Sequence, residues 1–345
     1  MSFKQLITIN KKTIGIGHRP YIIAEMACAH NGDFQQALDL IKASKEAGAD
    51  ACQLQFFVPD ETVTPNHPVY QVLQDIAFSK EEWSKIFNYG KSLEIDMWVC
   101  TYDVPSVAWA KEFGAVGIKL NSADLANPDV LKAVAESKIP FTLGTGASTF
   151  EEISRGLRFT AEHGADSCVL MQGVQNFPTQ NKDLNIARIN LLQRTFNIPV
   201  GYADHTDGDD TYGNIIDLIA IGAGAVVLEK HITLDRSKKG IDYQAALNPD
   251  EFKEYVATMH KGAESFGVAE IKEFSESDLK YRKFQKKGIV AASDLKIGET
   301  ISRDKVLFIR NEIPGIAPID LPLLEGKKLT KSVAKFENIT LADIA

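Results

Sequence analysis

The first three-quarters of the chain alternates short apolar runs with longer stretches in which apolar residues recur every three or four positions. The apolar runs predict strands over residues 21–25, 51–57, 97–101, 116–120, 140–143, 167–171, 199–202 and 225–229. The intervening stretches predict helices over residues 34–47, 81–92, 104–113, 128–136, 149–163, 184–195, 209–221 and 249–266. Strands and helices therefore follow each other in regular alternation, as in a parallel sheet with helical crossovers.

Eight strand–helix units in about 250 residues predict an α/β fold of the (β/α)8 TIM barrel type, which we assign to residues 1–268. An open doubly wound sheet is the alternative that the same alternation allows. Its nucleotide-binding members carry a Gly-x-Gly-x-x-Gly motif after the first strand, and this chain has none there. The barrel is therefore the favoured prediction.

The pattern changes after Phe266. Residues 269–286 are rich in charge and are predicted to be a linker or an exposed helix. Residues 287–345 contain short apolar pieces separated by turn residues, which predicts a small second domain. A module of this size is close to the lower limit for independent stability. We expect it to pack against its own barrel or against a partner chain.

Composition and charge narrow the class of protein. The chain has 345 residues and a formal net charge of −8, so a general nucleic-acid partner is not expected. No run approaches the roughly 18 apolar residues of a membrane span, and the first residues lack a secretory signal. The four cysteines form no Cys-x-x-Cys pair and are predicted to be buried, reduced thiols. These features predict a cytoplasmic protein without a membrane partner.

Two histidines stand at the ends of neighbouring predicted strands. A TIM barrel carries its active site at the carboxyl ends of the strands, and His205 and His231 both lie there. Neutral imidazoles with open positions for water and substrate suit Mn²⁺, Zn²⁺ or Fe²⁺. The alternative is that both rings only form local hydrogen bonds. Glu229 shares a strand face with His231 and is predicted to form an ion pair with Lys119, although a role as orienting group or base stays open.

Lys119 is a lone cation at the end of an apolar strand. Such a lysine neutralises an anionic substrate, forms an imine with a carbonyl compound, or simply faces solvent. Ser122 and the turn Gly144-Thr145-Gly146 could add hydroxyl and backbone N–H donors for a phosphate or a carboxylate.

Several segments of the chain together form a recognisable set. In the barrel they are residues 23–33, 48–51 with Gln55, 118–124, 145–148, 204–206 and 228–231 followed by Asp235. In the tail they are residues 287–292, 297–299 and 315–318. The barrel segments resemble the sialic acid synthase family, and the tail segments are similar to that family's antifreeze-like (SAF) domain. Members of the family condense phosphoenolpyruvate with an N-acyl hexosamine to N-acetylneuraminate, legionaminate or pseudaminate, and some belong to spore-coat polysaccharide synthesis. The resemblance covers nearly the whole chain in the same order.

The resemblance implies a (β/α)8 barrel followed by a SAF domain that is swapped between the subunits of a homodimer. It also implies site roles. The implied roles are metal ligands at His205 and His231 (most often for Mn²⁺), phosphoenolpyruvate contacts at Lys119, Ser122, Thr101 and Thr145, sugar contacts at Gln55, Asp242 and Arg310, and catalytic carboxylates at Glu25 and Asp124. The metal would polarise the sugar aldehyde, and a carboxylate would handle the proton of the attacking water.

The chain departs from the family pattern around the phosphate. The departures are Gln53 in place of a lysine, Gly144 and Ala203 in place of serines, residues 172–178 in place of a histidine-containing motif, and Ile313 in place of an arginine, with Arg310 the nearest one. Phosphoenolpyruvate carries close to three negative charges, so a lost lysine should weaken its binding by several kcal/mol. The sequence therefore predicts a divergent synthase. A metal aldolase or lyase that uses pyruvate, and a non-catalytic sugar-binding relative, are the alternatives.

Overall fold

The computed structural model describes residues 3–267, 273–313 and 315–345. The chain divides into two compact units, Met1–Val268 and Ala269–Ala345. The predicted domain limits of 1–268, 269–286 and 287–345 stay predictions, and residues 269–272 of the predicted linker lie outside the described residues.

The first unit is a closed barrel of eight parallel strands, which confirms the predicted fold class. Its strands are β3 Tyr21–Glu25, β4 Ala51–Phe56, β5 Asp96–Thr101, β6 Gly117–Leu120, β7 Phe141–Gly144, β8 Cys168–Gly173, β9 Val200–Ala203 and β10 Ala225–Ile232. They pair in chain order, and β10 closes the barrel by pairing with β3. Two short strands, β1 Ile7–Ile9 and β2 Lys12–Ile14, form a preceding hairpin, and β11 Ala246–Leu247 pairs with the end of β10.

Helices connect the barrel strands. They are α1 Phe34–Glu46, α2 Pro59–Thr62, α3 Tyr70–Ile76, α4 Lys80–Ser92, α5 Val104–Phe113, α6 Pro128–Ser137, α7 Phe150–Glu162, α8 Arg188–Phe196, α9 Gly213–Gly222 and α10 Pro249–Phe266. Many begin at a polar cap, as at Asp33, Ser79 and Thr149, whose side chains accept a backbone N–H of the first turn. These caps therefore define the residues at which the helices begin.

Two helices begin four residues later than the hydrophobic pattern predicts. Helix α8 was expected from residue 184 but begins at Arg188, because Asn185 adopts a left-handed conformation with φ 47°. Helix α9 was expected from residue 209 but begins at Gly213. The carboxylates of Asp207 and Asp210 accept backbone N–H groups two residues ahead and so hold this segment in turns. Both corrections lengthen loops at the carboxyl ends of the strands.

The apolar residues form two layers. One core lies between the strands and the helices, and a second fills the lower barrel with Trp98, Val169 and Val227 and includes three isoleucines of the β1–β2 hairpin. Gly117 faces Trp98, and a Cβ atom there would lie 2.2 Å from the indole ring. Because apolar side chains fill the lower barrel, the polar side chains of the interior lie near the carboxyl ends of the strands.

The second unit contains helix α11 Glu276–Gln285 and the antiparallel strands β12 Lys287–Ala291 and β13 Val306–Arg310. Residues such as Ile289, Leu324 and Ile339 form its own core. Helix α11 has no buried residue. No helix within the described ranges is long and apolar enough to cross a membrane. All four cysteines are free and buried, as predicted.

Candidate active site

Polar side chains from several strands converge inside the upper barrel. The strand register pairs His231 with Glu25, and Glu25 with Gln53. Lys119 lies opposite Cys100 on β5 and Thr142 on β7. Apart from Lys119 at 7 % exposure and His231 at 4 %, these polar groups are sealed from solvent. The closed sheet thus brings together residues that are far apart in the chain.

His205, Glu229 and His231 form a group that could hold a metal ion. One donor atom of each residue lies within 4.8 Å of the other two, and all three residues are buried. Glu229 and His231 project from the same face of β10 because strand side chains alternate, whereas His205 follows the end of β9. The two imidazole rings are 5.2 Å apart between centroids and stand edge to face. Two imidazoles and a carboxylate are common ligands of Zn²⁺, Mn²⁺ and Fe²⁺.

The tautomer of His205 is fixed by a neighbouring carbonyl group. Nδ1 of His205 lies 2.7 Å from the Val174 carbonyl oxygen, which can only accept a hydrogen bond. Nδ1 therefore carries the proton, and Nε2 keeps the lone pair that a metal needs. The ring of Phe177 packs against His205 at 4.4 Å between centroids. The ring thus has one orientation and one free donor atom.

Both histidines are kept neutral. Burial and the Lys119 ammonium lower the pKa of His205. Burial and the neighbouring His205 ring lower the pKa of His231 well below its usual value. Neutral imidazole is the form that binds metals.

Two carboxylates share one ammonium group beside the histidines. Nζ of Lys119 lies 2.5 Å from Oε1 of Glu229 and 3.4 Å from Oε2 of Glu25, so the ion pair predicted for Glu229 is present. Gln53 donates to Oε2 of Glu25 and, at 3.2 Å, to Oε2 of Glu229. Gln55 donates to Glu25 at 3.3 Å. The ionised set carries a net charge of −1, which favours a nearby cation.

The protonation state of Lys119 follows from these contacts. Burial alone would lower the pKa of Lys119, but the carboxylates of Glu229 and Glu25 outweigh it and raise the pKa above its usual value. The side chain therefore stays protonated near neutral pH. Of the alternatives open from the sequence, a solvent-facing lysine is excluded by its burial.

The four residues predicted to contact phosphoenolpyruvate differ in where they lie relative to the barrel interior. Lys119 faces the barrel interior, and Ser122 lies just beyond the same strand. The Thr145 hydroxyl donates to the Met171 carbonyl oxygen at 3.0 Å. Thr101 lies next to the inward-facing Cys100 and therefore on the opposite face of β5, and its buried hydroxyl has no partner in the described part of the chain.

Gly144 explains how the loop with Ser122 packs. A Cβ atom at Gly144 would lie 2.9 Å from the backbone nitrogen of Ser122. The glycine therefore lets the end of β7 approach the segment after β6. A serine hydroxyl at this position would require that segment to move. The glycine that replaces the family's serine at position 144 thus goes with a close approach of the two backbone segments.

Besides Glu25, two further carboxylates were predicted to belong to the site, Asp124 and Asp242, and their surroundings differ. Asp124 is half-buried in the short 3-10 helix Ser122–Asp124 that precedes α6, where burial raises its pKa and Asn127 donates to it at 3.3 Å. Asp242 adopts a left-handed conformation with φ 60°, and burial and the Glu25 carboxylate raise its pKa. Gln55, by contrast, contacts Glu25 directly. Arg310 is exposed at the end of β13 in the second unit.

A second polar layer lies behind the histidines and was not predicted from the sequence. Lys230 donates to Asp204 and, at 3.3 Å, to Asp217 of α9. Burial raises the pKa of Asp217 to about 7. Burial also favours protonation of Asp204, but the Lys230 ammonium outweighs it and lowers the pKa of Asp204. The sequence indicated only that Lys230, by strand alternation, points away from the barrel interior.

The whole chain is similar to known sugar-acid synthases. It is 30 % identical to N,N'-diacetyllegionaminic acid synthase of Legionella pneumophila, over 94 % of this chain and 96 % of that one. It is 28 % identical to pseudaminic acid synthase of Campylobacter jejuni, over 91 % and 93 % of the two chains. The crystal structure of N-acetylneuraminic acid synthetase from Leptospira borgpetersenii, in complex with citrate, superposes with a TM-score of 0.75 at 27 % identity and covers 81 % of this chain and 97 % of that one.

Family models match both units. The NeuB family model matches residues 40–270, and the SAF domain model matches residues 286–345. Together with the relatives and the barrel described above, these matches confirm the resemblance predicted from the sequence. The chain belongs to the NeuB family and is a sialic acid synthase-like enzyme with a SAF domain.

Proposed function

We propose that the enzyme condenses phosphoenolpyruvate with an N-acyl hexosamine to a nine-carbon 2-keto sugar acid, with release of phosphate, for surface polysaccharide or glycan synthesis. The observation that carries this proposal is the cluster of His205, Glu229 and His231 beside the buried Lys119. The names of the relatives support a sugar-acid product.

The residues present fit a divalent metal ion, most often Mn²⁺. His205 offers Nε2, because its other ring nitrogen donates to Val174, and His231 is neutral. Glu229 supplies a carboxylate within reach of both rings. A metal bound here supplies Lewis acidity toward the aldehyde oxygen of an open-chain sugar. Its two positive charges would change the net charge of the surrounding set from −1 to +1, which favours binding of an anionic co-substrate.

The chain's own residues would divide the remaining tasks. Lys119 and Ser122 hold the anionic donor, with Thr145 as a further predicted contact. The predicted contact of Thr101 is not retained, because its side chain lies on the outer face of β5. Carbon 3 of phosphoenolpyruvate then bonds to the aldehyde carbon, water adds at carbon 2, and phosphate leaves by cleavage of its C–O bond. Glu25 accepts the proton of that water, with Asp124 as the second predicted carboxylate. The backbone N–H of Ala27, at 2.6 Å, and two glutamines hold the Glu25 carboxylate in one orientation.

The sugar is proposed to bind above the donor. Gln55 donates to Glu25 at this level of the barrel, and the Glu25 carboxylate contributes to the raised pKa of Asp242. We propose that the chain works as a homodimer in which Arg310 of one subunit serves the sugar site of the other. Mixing Arg310→Ala with His205→Ala subunits tests this, because one kind of mixed dimer site regains both residues. Recovery of about a quarter of the activity is expected, and no recovery would contradict the shared site.

A donor other than phosphoenolpyruvate is the second candidate. Gln53 stands where the family carries a lysine, and its amide nitrogen donates hydrogen bonds to Glu25 and Glu229. The chain therefore has one cation fewer for a trianionic donor. A metal aldolase that uses pyruvate would need fewer cations.

A product assay separates these candidates. The protein is incubated with Mn²⁺, a panel of N-acyl hexosamines and either phosphoenolpyruvate or pyruvate, and the 2-keto acid is identified by mass. The proposal expects a nine-carbon product with one phosphate per product from phosphoenolpyruvate alone. Product from pyruvate supports the aldolase instead. Absence of any product contradicts both enzymes and favours a sugar-binding role.

A further inference from the structure

An ion pair links the two residues that precede the candidate metal ligands. Asp204 is the chain neighbour of His205, and Lys230 is the chain neighbour of His231. Their buried side chains meet in a salt bridge. Because strand side chains alternate, Lys230 projects toward the helices while His231 projects into the barrel. Asp217 of α9 supplies a second carboxylate to Lys230 at 3.3 Å.

The backbone pairing between β9 and β10 ends before it reaches His205. The register of this pair is irregular between Ala225 and Leu228, and its last pair is Glu229 with Ala203. One further hydrogen bond joins the Asp204 N–H to the Glu229 carbonyl oxygen at 3.0 Å. Beyond that point β10 pairs with β11. The ladder by itself therefore does not fix His205 relative to His231.

The Asp204 carboxylate provides the missing constraint. It accepts the Tyr202 hydroxyl at 2.8 Å, the Thr206 hydroxyl at 2.7 Å and the Lys230 ammonium. Tyr202 and Thr206 flank His205 on both sides in the chain. Gly213 closes over this group, since a Cβ atom there would lie 3.5 Å from Nζ of Lys230. A buried carboxylate with all these donors has one orientation.

We propose that Asp204 and Lys230 are positioning residues that set the separation of the His205 and His231 rings and thereby the affinity of the site for a divalent cation. This inference rests on the proposed metal site. Burying an ion pair brings little net stability, because desolvation offsets the attraction, and fixing a register is the best-attested use of such pairs. Groups that orient metal ligands typically change metal affinity by 10- to 100-fold.

Two matched variants test the inference. Asp204→Asn and Asp217→Asn each remove one buried carboxylate from Lys230, but only Asp204 adjoins a histidine. Mn²⁺ is titrated into metal-stripped protein, and free Mn²⁺ is measured by electron paramagnetic resonance. Asp204→Asn is expected to weaken Mn²⁺ binding about 10- to 100-fold, and Asp217→Asn by less than about threefold. Equal weakening in both variants, or unchanged affinity in Asp204→Asn, overturns the inference.

A second pair of variants, each of which removes a single hydroxyl group, tests the inference where an asparagine variant does not fold. Tyr202→Phe removes one donor from Asp204, and Tyr255→Phe removes the hydroxyl that donates to Asp217 at 3.0 Å. We expect Mn²⁺ affinity to fall several-fold in the first variant and to stay unchanged in the second. The reverse order, or no difference, overturns the inference. Wild-type protein that binds no Mn²⁺ would instead overturn the proposed metal site itself.

Discussion

Nζ of Lys119 lies 2.5 Å from Oε1 of Glu229, and this contact determines the chemistry open to the lysine. Despite burial, the carboxylates of Glu229 and Glu25 raise the pKa of Lys119 above its usual value. An imine needs the neutral amine as nucleophile. The ion pair therefore favours a role in charge recognition over covalent catalysis.

The first prediction concerns covalent trapping at Lys119. Because the amine stays protonated, borohydride added in the presence of pyruvate should leave the mass of the protein unchanged. An imine-forming aldolase treated in parallel serves as the positive control. A reduced adduct located at Lys119 by peptide mass spectrometry would contradict the assigned protonation state.

The second prediction concerns the charge next to the donor site. Gln53→Lys places an ammonium between Glu25 and Glu229, which leaves Lys119 freer to pair with the donor. Two charges about 5 Å apart interact by about 3 kcal/mol at an effective dielectric constant near 20. Because the new ammonium also pairs with Glu25 and Glu229, only about half of that energy should reach the donor, and we expect the KM for phosphoenolpyruvate to fall about tenfold. Gln53→Met is the uncharged control and should not lower KM. An unchanged or higher KM in Gln53→Lys would show that this cation is not what the site lacks.

The third prediction concerns the packing of the strand ends. Gly144→Ser introduces a Cβ atom 2.9 Å from the backbone nitrogen of Ser122. We expect the free energy of unfolding to fall by about 1–3 kcal/mol, as for other overpacked sites. Gly222→Ser is a suitable control, because the nearest atom to its Cβ would be 4.0 Å away, on Phe266. Equal stability of the two variants in urea would refute the close approach.

The fourth prediction concerns acid stability and His30. Its ring is buried between Phe78 and Trp83, Nδ1 accepts the Gly32 N–H at 3.0 Å, and Nε2 has no partner among the described residues. Burial lowers the pKa of His30 to about 4. The unfolded chain, with a pKa near 6.5, therefore binds the proton more tightly than the folded chain. Its contribution to stability is complete above about pH 6.5 and is lost as the pH falls toward 4, by about 3 kcal/mol in full.

Urea unfolding at pH 7.5 and pH 4.5 measures this effect. His30→Asn keeps an acceptor for Gly32 but cannot titrate, so its loss of stability between the two pH values should be smaller than that of the wild type. His18→Asn, at an exposed histidine, should behave like the wild type. The same loss in all three proteins would exclude His30 as an acid-sensitive group.

The sequence predicted the barrel well because its signals are local and repeated. Tyr21–Glu25 and Val104–Phe113 have the predicted limits, and the neighbouring ends of β9 and β10 place His205 near His231. The β1–β2 hairpin escaped prediction because strands of three residues are too short to show a period. Helices α2 and α3 lie in a segment broken by three prolines, which hides a helical pattern.

The rest of the site depends on distances between strands that no local pattern contains. The contacts of Gln53 with both Glu25 and Glu229 require three strands to be placed in register. Likewise, alternation turns Lys230 outward, but its contact with Asp217 depends on how α9 packs. Gly144 could be read as a lost serine from the sequence, while its close approach to Ser122 needed coordinates.

The central claim is that phosphoenolpyruvate chemistry depends on a metal held by His205, Glu229 and His231. The most direct measurement is the rate of phosphate release from phosphoenolpyruvate and an accepted hexosamine as Mn²⁺ is returned to metal-stripped protein. Wild-type protein should show a saturable rise from near zero, and His205→Gln should show none, while the control variant His163→Gln behaves like the wild type. Phosphate release that persists without metal, or that is unchanged in His205→Gln, would contradict the account.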